Sequence, residues 1–207
     1  MKLKTVRIII LIILSQSVFS QKEQLTNETY RKVDSLFLSY NQNNKTGSAI
    51  AVIKNENVVY KNHLGLANIE HQLAITDSTV FNIASVSKQF TTYLALLLEE
   101  EGKLDFDDDI RKYLPELEHL PQKITIEQLT NHTHGLPNPD ELSLLKGVET
   151  MNHNEVLKML LNIKQVSFLP GDNYFYNNTG YILLSEIIER TGQKPFKDQQ
   201  KIEYLNL

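Results

Sequence analysis

At 207 residues the chain has the length of one domain with a sizeable core, and 41% hydrophobic and 22% charged residues are ordinary values for a soluble globular protein. A formal net charge of -4 speaks against a general affinity for nucleic acid or anionic membranes. With no cysteine, neither a disulfide framework nor a cysteine-linked lipid is available, so packing alone must hold the mature protein together.

Residues 1–20 stand apart. Lys2, Lys4 and Arg7 form a basic start, Ile8 to Leu14 is an unbroken apolar run, and Val18 and Ser20 suit the positions before a cleavage at Gln21. This is the layout of a secretory signal peptide. The apolar run falls well short of the about 20 residues that span a bilayer, so no stable membrane anchor is expected after cleavage. The expected destination is the periplasm or the extracellular space, with residues 21–207 forming the domain.

Val33, Leu36, Phe37 and Tyr40 recur at helical spacing and predict an amphipathic helix that ends in the polar stretch from Asn41 to Gly47. Ser48 to Ile53 and Val58 to Leu64 read as strands, joined by Lys54-Asn55-Glu56-Asn57 into an antiparallel hairpin. From Ser85 onward the pattern is mostly helical. Phe90 to Leu98 is apolar on nearly every side, which predicts a buried helix closed by Gly102. Further helices are expected at Ile126 to Asn131, behind a Thr125/Gln128 capping box, and at Asn154 to Ile163. Another is expected from Gly180 to Thr191, stopping at Gly192, and Pro195 fits the first turn of a last one. Only two strands are convincing, and a lone hairpin is marginal without more strands or a covering helix. The sheet therefore reads as unfinished, with C-terminal strands missing.

Two clusters carry chemistry. In Ser85-Val86-Ser87-Lys88 the lysine follows the serine by one helical turn and faces the same way. A serine oxygen at a helix N-terminus gains from the positive end of the dipole as it becomes anionic, and a lysine among apolar residues gives up its proton more readily. Taken alone, the pattern is more simply that of a serine cap followed by a surface lysine. Tyr176-Asn177-Asn178 follows the loop Pro170-Gly171-Asp172-Asn173 and immediately precedes the Gly180 helix. A phenol near the serine and lysine can relay a proton, and an asparagine amide can orient an acyl donor; an aromatic staple with an asparagine cap is the plainer alternative.

Together these clusters resemble the class C-type β-lactamases and their relatives, the D-alanyl-D-alanine peptidases and serine esterases of the penicillin-binding family. Gly65 to Asn68, Phe81 to Thr91, Gly102 to Asp105, Leu129 to Pro137 and Tyr176 to Tyr181 fit in family order, from about Ser48 to the end. The resemblance implies a mixed α/β (α+β) fold, an antiparallel sheet flanked by helices with a helical subdomain. It also implies an acyl-serine hydrolase acting on amides or esters such as β-lactams or peptidoglycan stem peptides, with no metal or organic cofactor. Ser85 would be the nucleophile, whose backbone N–H supplies half of an oxyanion hole, and Lys88 would help activate it. Tyr176 would be the general base and acid, and Asn178 would hold the substrate amide.

Two departures stand out. His134 takes the place of the serine in the relatives' H-T-S-G-L-P segment. The family's third motif, a K-T-G or H-x-G strand segment that supplies the second oxyanion donor, is absent. Losing one such donor typically costs about 10² to 10³ in rate. One rival reading is therefore a truncated, non-catalytic relative that binds β-lactam or peptidoglycan weakly. A second is a metal-dependent hydrolase using His132 and His134, although no third ligand stands at a telling spacing. The alternating Asp105, Asp107 and Asp109 lack the glycine a calcium loop needs, Ile110 standing in its place, and read as a solvated acidic turn.

Overall fold

The computed structural model describes residues 25–38, 45–139 and 153–199. The expected signal peptide, Tyr40 and any helix beyond residue 199 lie outside them. The chain divides into two compact units, Met1–Asn82 and Ile83–Leu207.

In the first unit, helix α1 (Asn27–Leu36) starts where the Thr26 side chain accepts the Thr29 N–H at 3.2 Å. It ends at Leu36, with Phe37 as its C-cap, so the expected stripe is cut short. No α1 residue is fully buried. Polar contacts tie it to the hairpin instead: the Tyr30 hydroxyl donates to the Val59 carbonyl at 2.9 Å, and Asp34 accepts from Tyr60 at 2.6 Å and Asn62 at 3.0 Å. Strands β1 (Ser48–Lys54) and β2 (Asn57–Leu64) pair antiparallel, Ser48 opposite Leu64, with a register shift at Val52/Ile53. Asn55 and Glu56 turn the chain with positive φ at both positions, the geometry whose twist matches that of the flanking strands. A second ribbon pairs β3 (Leu66–Asn68) with β4 (Leu73–Ala74). It is absent from the expectation because strands of two and three residues are too short to show a period. Among the described residues the strands thus form two small antiparallel sheets.

The second unit begins with a 3₁₀ turn, Ala84–Val86, that runs directly into α2 (Ser87–Glu100). Gly102, at φ +68°, closes α2: its N–H reaches the Glu99 carbonyl at 2.8 Å, and the Lys103 N–H reaches Leu98 at 2.9 Å. The expectation of burial on nearly every side is corrected. Thr91, Leu94, Ala95 and Leu98 are buried, whereas Phe90, Tyr93 and Leu96 remain 37%, 42% and 43% exposed. The core of this unit covers only one side of the helix.

The acidic turn is satisfied locally: Asp108 accepts from Lys112 and Tyr113, both at 2.6 Å, and Asp109 binds the Arg111 backbone and guanidinium. Helix α3 (Ile126–Thr130) carries the expected capping box, and α4 (His153–Leu160) and α5 (Thr179–Gly192) follow. Leu94, Leu114, Ile126, Leu129, Leu183 and Ile187 form the centre of the core. Gly192 is the last helical residue rather than a left-handed stop, a conformation that Gln193 takes at φ +55°. A Cβ at Gly192 would stand 2.1 Å from Gln199 Oε1, so the Gln199 side chain would have to shift to admit one.

Candidate active site

Ser85 sits in the 3₁₀ turn at the N-terminal end of α2, and Lys88 is in the first turn of that helix. The Lys88 ammonium donates to Ser85 Oγ at 3.3 Å. Helical phase alone accounts for this pairing. Ala84, immediately before the serine, holds φ +46°, a left-handed conformation unfavourable for any residue with a Cβ.

The loop entering α5 brings the other two expected residues to the same point. The Tyr176 hydroxyl donates to Ser85 Oγ at 2.6 Å, and Lys88 donates to Asn178 Oδ1 at 2.8 Å. Lys88 Nζ also lies 5.1 Å from the Tyr176 ring centroid and 5.2 Å from that of Tyr181, within cation–π range. Ser85 and Tyr176 are exposed, whereas Lys88 and Asn178 are half-buried. The result is an accessible hydroxyl with a phenol on one side and an ammonium on the other. Such an arrangement can move a proton off the serine and stabilise negative charge on its oxygen.

Behind this group, buried polar residues fix the loop. Asn177 donates to the Leu136 carbonyl at 2.8 Å and accepts the Thr179 N–H at 2.9 Å, and the Thr179 hydroxyl donates to the Pro137 carbonyl at 2.7 Å. Tyr181 donates to the Thr130 carbonyl at 2.9 Å and lies 3.1 Å from the Thr92 hydroxyl. Sequence reasoning gave no role to Asn177, Thr179 or Tyr181. The signal for Tyr181 was its place one turn into α5, but only the packed helices show which way it faces.

His132 and His134 each turn Nδ1 towards a backbone N–H, that of Asn177 and that of Leu136. The His134 ring is buried, and its Nδ1 accepts the Leu136 N–H at 3.0 Å. Its Nε2 has no hydrogen-bond partner among the described residues. Burial, and secondarily His132, push its pKa down to about 4. His132 stacks on Tyr176 with ring centroids 4.5 Å apart. Burial, with the Lys88 charge as the second cause, lowers its pKa below the usual histidine range. Among the described residues no group of three His, Cys, Asp or Glu side chains is placed to hold a metal.

The β-lactamase family model matches residues 27–204. A penicillin-binding protein of Bacillus subtilis (strain 168) is 27% identical over 177 residues, covering 81% of this chain and 38% of its own length. Among solved structures, an octameric penicillin-binding protein homologue from Pyrococcus abyssi superposes with a TM-score of 0.66 at 28% identity, over 76% of this chain and 38% of that one. A D-amino acid amidase from Ochrobactrum anthropi gives a TM-score of 0.61 at 26% identity, over 76% of this chain and 43% of that one. The chain therefore spans well under half the length of these relatives.

Proposed function

This chain belongs to the β-lactamase family, and from that premise we propose that it is an acyl-serine hydrolase of amide or ester bonds, with Ser85 as nucleophile. The observation that carries the reading is the convergence on Ser85 Oγ of the Tyr176 hydroxyl at 2.6 Å and the Lys88 ammonium at 3.3 Å. As a phenolate beside the Lys88 ammonium, Tyr176 takes the Ser85 proton while Oγ bonds to the substrate carbonyl carbon. It then returns that proton to the departing amine or alcohol as the carbonyl–heteroatom bond breaks. Water then gives a proton to the phenolate as its oxygen bonds to the acyl carbon, and the phenol so formed returns that proton to Ser85 Oγ as the ester bond breaks. Lys88 holds positive charge against the developing alkoxide, and Asn178, anchored by Lys88, offers its amide nitrogen to the acyl donor.

The names of the relatives, a penicillin-binding protein and a D-amino acid amidase, support β-lactams and peptide-like amides as the acyl donors. The basic and apolar start of the sequence supports export, where peptidoglycan peptides lie. The test is intact-mass spectrometry of the chain after incubation with a penicillin, alongside Ser85→Ala. A single acyl adduct that vanishes in the variant is the expected result. An adduct that survives the substitution overturns the assignment of Ser85.

A further inference from the structure

His132 takes no part in the steps above, yet it holds the backbone around Tyr176 at three points. Its carbonyl accepts the Phe175 N–H at 3.0 Å. Its Nδ1 faces the Asn177 N–H at a long 3.5 Å, and its ring lies 4.5 Å from the Tyr176 ring, tilted by 45°. The two N–H groups belong to the residues on either side of Tyr176. His132 is 8% exposed and adopts φ +63°, a left-handed conformation that a side chain takes only when its surroundings hold it there.

We propose that His132 is the positioning residue for Tyr176, gripping both flanking peptide groups and one ring face so that the phenol oxygen stays within hydrogen-bond reach of Ser85. The inference rests on the reading of Tyr176 as proton carrier. A displacement of about 1 Å at such a group costs up to about 10²-fold in rate, so the grip bears directly on catalysis.

The grip needs an unprotonated Nδ1, because a proton there points at the Asn177 N–H. Among the described residues, the titratable groups that face the ring are Lys88, His134, Tyr174, Tyr176 and Tyr181. Burial, and then the Lys88 ammonium, disfavour the protonated ring. Acid that does protonate it releases the Asn177 amide and loosens the tyrosine.

Two measurements on the full chain test this. The first is the rate of acyl-adduct formation with a penicillin in the wild type and in His132→Phe, which keeps an aromatic ring but removes the acceptor. The expected result is a loss of about 10- to 100-fold in the saturated rate with little change in the half-saturating concentration. The second is amide hydrogen exchange at Phe175 and Asn177, read by NMR against the titration of the His132 ring. Protection of the Asn177 amide should fall as His132 gains its proton, and be low at every pH in the variant. An unchanged adduct rate in His132→Phe overturns the proposal, and so does Asn177 protection indifferent to both the titration and the substitution. If the wild type forms no adduct at all, the reading of this chain as a working acyl-serine hydrolase falls, and the exchange data still decide whether His132 holds the loop.

Discussion

The hydroxyl of Tyr176 lies 2.6 Å from Ser85 Oγ across 91 positions of sequence, a contact held at one end by a 3₁₀ turn and at the other by a hydrogen-bonded loop. Ser85 is followed at once by α2, and the loop is pinned through Asn177 and Thr179 to the carbonyls of Leu136 and Pro137. The short contact thus joins two hydrogen-bonded attachments, and it can be interrupted at the phenol oxygen without removing either.

Tyr176→Phe removes that oxygen and keeps the ring that stacks on His132. Acylation of Ser85 by a penicillin should slow by about 10² to 10⁴, the usual contribution of a positioned proton carrier, with thermal stability little changed. Stopped-flow or timed intact-mass measurements would read the rate. A variant that acylates at the wild-type rate removes Tyr176 from the mechanism.

Gly180 stands where a side chain has no room: a Cβ there would meet the Leu129 carbonyl oxygen at 2.7 Å and His134 Nε2 at 2.8 Å. Because both neighbours are buried, Gly180→Ala should destabilise the chain by about 1–3 kcal/mol despite alanine's better helix propensity. Urea denaturation would measure the loss, and a neutral or stabilising result would mean that the helix start shifts freely.

The buried His134 ties stability to pH. Its pKa is pushed down from 6.5 to about 4, so between these values the unfolded chain binds the proton and the folded chain does not. Its contribution is therefore complete above about pH 6.5 and is lost as pH falls towards 4, by about 3 kcal/mol in full. His134→Ser should flatten the dependence of unfolding free energy on pH across that window. Retention of the same slope in the variant would assign the acid sensitivity to other groups.

Ala84 holds its left-handed φ of +46° directly before the nucleophile. Ala84→Gly removes the Cβ clash, worth roughly 1–2 kcal/mol, and adds unfolded-state entropy of about 0.5–1 kcal/mol. The expected net effect is a gain of up to about 1.5 kcal/mol, measurable as a rise in the denaturation midpoint. A clear loss of stability would show that the turn at Ala84 is unstrained.

Much of the site was readable in the sequence because its short-range parts obey local rules. One helical turn fixes Lys88 relative to Ser85, a capping box starts α3 at Thr125 and Gln128, and Gly102 closes α2. The hairpin from Ser48 to Leu64 likewise follows from alternation and its turn, and the family resemblance rested on these same local segments.

What the sequence by itself determined was therefore the elements, the order of the motifs and the identity of Ser85, Lys88, Tyr176 and Asn178 as candidates. Only the tertiary structure decided which oxygen meets which nitrogen. It brought Tyr176 to Ser85 and Asn178 to Lys88, left Phe90, Tyr93 and Leu96 exposed on a helix whose composition predicted burial, and set His132 against the tyrosine. The reason is physical. Local propensity follows from covalent geometry within a few residues, whereas the face a helix buries and the rotamer a loop residue adopts depend on core contacts with residues far away in sequence.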